Sequence, residues 1–172
     1  MRIISGKHKG RIINPPRNLR ARPTTDFAKE NIFNVLSNIT DIDGADVLDL
    51  FAGTGSISYE FASRGAASVT SVEINAVHYN FIRRTASEFG FDNLHAVKAN
   101  VFLYLKSIRK SFDIVFSDAP YDLPDGESIA GMVLSGGLLR KGGVFILEHP
   151  KGVDYSNKQY FLQQRNYGSV QF

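Results

Sequence analysis

No cysteine occurs among the 172 residues, which excludes disulfides and cysteine-based nucleophile or metal chemistry. The absence agrees with a reducing compartment. No run of about 18 apolar residues is present to span a bilayer, and Met1-Arg2 leads into polar and basic residues rather than an apolar signal core. The expected setting is cytoplasmic, with no membrane partner. Internal repeats, low-complexity tracts and domain-dividing linkers are also missing. With 43% hydrophobic and 22% charged residues, the chain can bury one core and is too short for two ordinary ones. Residues 1–172 therefore read as a single domain, with residues 1–25 as an arm within it.

The formal charge is only +3, but its distribution is uneven. Arg2, Lys7, Lys9, Arg11, Arg17, Arg20 and Arg22 precede the first acid, Asp26, so the arm carries +7 and the remainder −4. A concentrated basic arm on a mildly acidic body fits a polyanion, because every neutralised phosphate releases counterions. Arg2, Lys7, Lys9, Arg11, Arg20 and Arg22 are the candidate phosphate-contacting residues. A solvated terminus is the bland alternative.

The arm begins as Arg2-Ile3-Ile4 and Arg11-Ile12-Ile13 around the turn Ser5 to Gly10, which reads as a β-hairpin. Pro23-Thr24-Thr25-Asp26 then offers N-caps for a helix with Ala28, Ile32, Val35, Leu36 and Ile39 on one face. From Ala45 the pattern alternates. Strands are expected at Val47–Leu50, Ser68–Val72, Leu94–Ala99, Phe112–Ser117 and Val144–Glu148, with helices at Ser56–Arg64, Asn75–Phe89, Val101–Arg109 and Ser128–Leu134. Such alternation implies right-handed crossovers and a mainly parallel sheet covered on both faces. Tyr160–Gln164 and Ser169–Phe172, flanking Asn166-Tyr167-Gly168, suggest a terminal antiparallel hairpin. The expected architecture is a Rossmann-like α/β fold with a seven-stranded sheet.

In such folds ligands sit at the carboxyl ends of the strands. The first of these ends runs Asp49-Leu50-Phe51-Ala52-Gly53-Thr54-Gly55-Ser56, where two glycines permit a sharp turn and a close backbone approach before a helix N-terminus. Glu73 ends the next strand 24 residues after Asp49, near the offset at which an acid meets a ribose diol. Asn100 ends the third; its amide could pair with an adenine edge between Ile74 and Val101, or cap the following helix, or do both. A nicotinamide site would want a third glycine three residues after Gly55, and Ser58 stands there instead. Asp49 ahead of the turn suits the cationic amino group of a methionine tail. These features resemble class I S-adenosylmethionine-dependent methyltransferases.

Asp118-Ala119-Pro120-Tyr121 follows the apolar run from Phe112. An exocyclic purine amine is a poor nucleophile because its lone pair is delocalised, and acceptors can correct this. Asp118 and the Ala119 carbonyl would accept its hydrogens, Pro120 would fix the turn, and Tyr121 would stack on a flipped base. The same four residues could also be an ordinary strand-to-loop turn. The tetrad resembles the Asp/Asn-Pro-Pro-Tyr motif of amino-group methyltransferases, with Ala119 in place of the first proline. The motif pair alone leaves open a DNA adenine or protein glutamine methyltransferase, and the arm alone a non-catalytic RNA-binding module.

Arg2-Ile3-Ile4-Ser5-Gly6, Lys9-Gly10-Arg11, Arg22-Pro23-Thr24-Thr25-Asp26 and Glu30 to Leu36, with the Asn166-Tyr167-Gly168 region, resemble the RsmD family of bacterial 16S ribosomal RNA guanine-N2 methyltransferases. The resemblance implies S-adenosylmethionine as cofactor and methylation of one guanine of 16S RNA, in the 30S subunit or an assembly intermediate, by a monomer without a metal. It implies Asp118, Ala119, Pro120 and Tyr121 at the guanine. It puts Asp49, Phe51, Ala52, Gly53, Thr54, Gly55, Ser56, Glu73, Ile74, Asn100 and Val101 at the cofactor, with Thr24 beside its methionine end. His8 could add to phosphate binding; Glu148-His149-Pro150 could line the rim of the pocket, although a simple strand exit is the first reading.

Overall fold

The structure, a computed structural model, describes residues 1–16, 19, 25–123, 128–168 and 170–172. The expected roles of Arg17, Arg20, Arg22 and Thr24 therefore fall on residues outside the described ones. Helix α1 (Asp26–Ile39) starts at Thr25, whose Oγ1 accepts the Ala28 N–H at 3.1 Å and satisfies a donor that the first turn cannot. Its buried face carries Ala28, Lys29, Ile32, Phe33 and Leu36, while Ile39 is exposed. The face is rotated from the expected one because Phe33 meets Phe61 edge-on at 4.6 Å, with the Arg64 guanidinium over its ring.

Five strands follow, β1 (Asp46–Leu50), β2 (Ser68–Glu73), β3 (Leu94–Lys98), β4 (Phe112–Asp118) and β5 (Leu139–Glu148). Between them run α2 (Ser56–Ser63), α3 (Ala76–Phe89), α4 (Val101–Ser107) and α5 (Ser128–Ser135). All neighbours are parallel, in the order β3-β2-β1-β4-β5. The chain walks outward from β1 to β3 and then returns to the other side of β1, so the order reverses between β1 and β4. That reversal opens a crevice at the strand tips. Because side chains alternate along each strand, Val47, Val69, Ile114 and Phe116 face α1, α2 and α3, and Leu48, Leu50, Val72 and Val115 face α4 and α5. Two layers of helices thus cover the sheet.

The expected seven-stranded sheet is corrected to five strands. β6 (Asn166–Tyr167) and β7 (Val170–Gln171) form a separate antiparallel pair, tied to the end of β5 by a single bridge between His149 and Gln171. Tyr160–Gln164 is not its first strand. The amides of Lys158 and Phe161 are used in local turns, and Tyr160 has φ 69°, a left-handed conformation that interrupts extended chain. β5 begins before Val144, at Leu139, with a register shift opposite Phe112 and Ile114.

The arm is a hairpin, closed by Ile3 N–H to the Arg11 carbonyl at 3.0 Å and Ile13 N–H to the Met1 carbonyl at 2.9 Å. It lies along α2. The Ile4 and Ser5 amides donate to the two oxygens of Glu60 at 2.8 and 3.0 Å, and the Lys7 amide donates to the Ser63 carbonyl at 2.7 Å. Gly6 has φ 81°, and a Cβ there would lie 1.8 Å from the Ser63 carbonyl oxygen, so only glycine permits the approach. Glu60 is fully buried and also accepts from Arg64 Nε at 2.8 Å, with Lys29 Nζ at 4.0 Å. Lys29 is buried too, and donates to the Arg2 carbonyl at 2.6 Å and to Ser56 Oγ at 3.3 Å. Burial lowers its pKa, and Glu60 and Asp26 oppose that shift. Removing one partner of such a buried set costs about 3–5 kcal/mol, so the arm is part of the fold. Among the described residues, no helix is long and apolar enough to cross a membrane.

Candidate functional site

β1 and β4 are neighbours with Leu50 opposite Ser117, so the glycine turn and the Asp118 tetrad leave the same edge of the sheet side by side. Asp49 pairs with Ser71 on one side and Phe116 on the other, and Asp118 pairs with Glu148. By the period of two, Asp49, Glu73, Asp118 and Glu148 all project from one face, on the tips of four adjacent strands. A row of carboxylates at a crevice favours a cationic ligand.

On the β1–β2 side the carboxylates are built into the scaffold. Glu73 Oε2 accepts the Gly53 N–H at 2.8 Å and Oε1 accepts the Asn75 N–H at 2.6 Å, joining the loops after both strands. Phe51 (φ 60°), Gly53 (φ 55°) and Gly55 (φ 84°) give the turn its left-handed residues. A Cβ at Gly55 would lie 2.8 Å from the Tyr59 ring, so that glycine is required for packing as well as for its φ. Gly55 is the N-cap of α2 without a side-chain cap, and the helix presents its first N–H groups to the crevice.

Asp49 is 1% exposed. Ser58 Oγ donates to its Oδ2 and lies 2.6 Å from Ser71 Oγ, so Ser71, Ser58 and Asp49 form a hydrogen-bonded chain. Burial pushes the Asp49 carboxyl up to about 7, the Ser58 bond opposes this, and the Glu73 charge adds to it. Ser58, the residue that breaks the dinucleotide glycine pattern, thus orients the acid; the sequence offered no signal for that. Thr54 and Ser56 are buried in the turn, and Phe51 and Ala52 are half-buried. Asn100 caps α4, accepting the Leu103 N–H at 3.2 Å, so the capping alternative holds. Beside it, Val101 is buried and Ile74 is 60% exposed at the tip of β2.

On the β4–β5 side the carboxylate of Glu148 borders open space. A cavity of about 540 Å³, within the usual range for ligand pockets, is bounded by Ala119, Pro120, Tyr121, Glu148, His149 and Tyr155, among others. Tyr121 is partly exposed, and its hydroxyl donates to Glu148 Oε1 at 3.1 Å. Glu148 and His149 are therefore cavity wall as well as strand exit. Their signal was present: Glu148 ends a strand in an acid, as Asp49, Glu73 and Asp118 do. A larger cavity of about 640 Å³ lies elsewhere, between the arm and the end of α1, bordered by Ser5, Gly6, Asn38, Asp41, Asp43 and Arg64. It holds none of the strand-tip residues.

Lys7, Lys9 and Arg11 are exposed, and the Arg11 guanidinium also donates to the Phe89 carbonyl at 3.3 Å. Arg2 lies 3.9 Å from Asp26. The hairpin follows α2 from Ser56, near Arg2, to Ser63, near Lys7, so its tip is at the sheet edge opposite the crevice, one helix length or about 12 Å away. His8 does not join the basic surface. It is buried with its ring 4.3 Å from Phe91, and burial, reinforced by Arg11 and Lys7, lowers its pKa. A neutral, buried imidazole is no phosphate ligand.

A family model described as Conserved hypothetical protein 95 matches residues 1–172. Ribosomal RNA small subunit methyltransferase D of Buchnera aphidicola subsp. Baizongia pistaciae is 31% identical over 148 residues, covering 86% of this chain and 75% of its own. A solved structure from Escherichia coli, described as the methyltransferase yhhF, superposes with a TM-score of 0.85 at 27% identity, covering 99% of this chain and 94% of that one. A methyltransferase solved in complex with SAH superposes with a TM-score of 0.59 at 25% identity, covering 71% of this chain and 35% of that one.

Proposed function

From the premise that this chain belongs to the RsmD family of methyltransferases, we propose that it methylates the exocyclic N2 amine of one guanine in 16S ribosomal RNA. It is an enzyme, its cofactor is S-adenosylmethionine, and its substrate is ribosomal RNA. The finer reading is that a monomer, folded as one domain with residues 1–25 as its arm, acts on the 30S subunit or an assembly intermediate.

The observation that carries the reading is the adjacency of β1 and β4, from which the cofactor turn and the Asp118 tetrad rise together. The cofactor fits the residues present: a row of carboxylates suits its net positive charge, and the α2 N-terminus suits its carboxylate. Asp49 and Glu73 would hold its ammonium and ribose ends, with Gly53 and Gly55 giving backbone access and Ile74, Asn100 and Val101 around its adenine. When bound, the cofactor supplies an electrophilic methyl group on a sulfonium.

The chain's own work is placement. Asp118 and the Ala119 carbonyl accept the two amine hydrogens and draw the nitrogen out of conjugation, so its lone pair points along the line of attack. Asp118 would take the N2 proton that the methylated amine gives up and pass it toward solvent. Pro120 limits the turn's freedom, and the Tyr121 ring walls the base while its hydroxyl is bonded to Glu148. Lys7, Lys9, Arg11 and Arg2 contact phosphates away from the target nucleotide, positioning the particle without reading sequence.

The test is incubation of immature 30S particles with methyl-labelled cofactor, followed by digestion of the RNA. Label in N2-methylguanine of 16S RNA is expected. Label in N6-methyladenine, or only in protein, would refute the assignment.

A further inference from the structure

We infer that Glu148 selects the base: its carboxylate accepts the N1–H of the guanine whose N2 amine faces Asp118, so the two acids together admit guanine and reject adenine. The inference rests on the functional reading above and names a specificity determinant that the tetrad does not contain.

Three observations carry it. Asp118 and Glu148 are register partners on adjacent parallel strands, so their side chains leave the same sheet face about 4.8 Å apart. Glu148 is only 7% exposed, yet it borders the same cavity as Ala119, Pro120 and Tyr121. Its carboxylate is held in orientation by the Tyr121 hydroxyl at 3.1 Å, and a carboxylate can accept about four hydrogen bonds. Two neighbouring N–H donors on one ligand match two carboxylates set side by side.

Guanine presents such a pair, because N1–H and N2–H lie next to each other on its Watson–Crick edge. Adenine presents an acceptor, N1, beside its amine. With its amine at Asp118, adenine would turn the N1 lone pair toward Glu148, leaving a buried carboxylate opposed by another acceptor. Sites built around a hydrogen bond discriminate strongly against analogues that cannot make it.

The probe is 2-aminopurine, which keeps the N2 amine but has an unprotonated N1. Once the methylated position is mapped, 30S particles are reconstituted with 16S RNA carrying either guanine or 2-aminopurine there. For the wild-type enzyme, kcat/KM should be about 100-fold lower on 2-aminopurine. In Glu148→Gln, whose amide can donate to N1, the two substrates should fall within about threefold of each other, with cofactor affinity unchanged. Glu148→Asp, which keeps the carboxylate on a shorter arm, should be slower but still prefer guanine, and this variant keeps the test decisive if Gln disturbs folding. Equal wild-type rates on both particles, or an unaltered preference in Glu148→Gln, would overturn the inference while leaving the enzyme's function standing. A wild-type enzyme that methylates neither particle would remove the function and the inference together.

Discussion

The tips of β1 and β2 and those of β4 and β5 carry the same residue type on the same sheet face, yet their surroundings differ. Glu73 accepts two backbone amides and Asp49 is buried beneath the turn with Ser58. Glu148, beside Asp118 on the next strand, instead stands at the edge of a cavity of about 540 Å³ whose wall includes a partly exposed tyrosine. On the proposed reading the cofactor half would be formed in advance, its acids doubling as structure, whereas the base half would keep room for a purine that arrives from elsewhere. Substitutions should separate along that line: in the first half they disturb fold and cofactor binding together, in the second turnover alone.

The largest effect should come from Asp118→Ala. Loss of the acceptor that localises the amine lone pair should lower turnover at least about 1,000-fold. Cofactor affinity measured by calorimetry should stay within about threefold. If affinity fell in parallel with rate, the two halves would not be separable.

Asp49 sharpens the comparison through pH. Its native carboxyl titrates near 7 against 3.8 for the ordinary group, so between those values the native chain holds a proton that the unfolded chain has released. Stability from this group therefore falls as pH rises through that window, by on the order of 4 kcal/mol in all. Asp49→Asn, which cannot ionise, should melt above the wild type at pH 8 and lose that advantage at pH 4. An advantage that did not change with pH would show that Asp49 is not the buried acid described.

Glu73→Gln replaces one acceptor oxygen with an amide that faces a backbone N–H, so one loop loses its tie. Leaving such a donor unmatched costs about 1–3 kcal/mol, which corresponds to roughly 5- to 150-fold in cofactor affinity. The rate at saturating cofactor should change by only a few fold. A rate loss without an affinity loss would invert the assignment of the two halves.

The smallest effect should come from the arm. Lys7→Ala with Lys9→Ala leaves the buried Glu60 and Lys29 anchor and the Arg11 contact with Phe89 intact. Particle affinity should weaken, and its log–log dependence on salt should flatten by up to about two phosphate contacts, with the rate at saturating particle unchanged. An unaltered salt slope would remove the hairpin tip from RNA binding.

Much of this arrangement was legible in the sequence because it is local. Strand and helix periods, Thr25 as a cap, and the acid or asparagine at the end of each of the first four strands are short-range signals, and the five parallel strands lie where those signals put them except that β5 starts five residues early, at Leu139. What was not legible depends on distant partners. Glu60 receives the arm amides from 55 and 56 residues away, and Ser58 and Ser71 meet Asp49 only once the sheet is assembled. His8 looked like part of a basic surface and is instead packed, with its ring tilted, against Phe91. That Glu148 meets Tyr121 depends on β4 and β5 pairing in register.

The most direct measurement of the central claim is mass mapping of modified nucleotides in 16S RNA from cells lacking this chain. One N2-methylguanine should be replaced by unmodified guanine, returning when the wild-type gene is supplied and staying absent with Asp118→Ala. An unchanged set of N2-methylguanines in those cells, or full restoration by Asp118→Ala, would contradict the account.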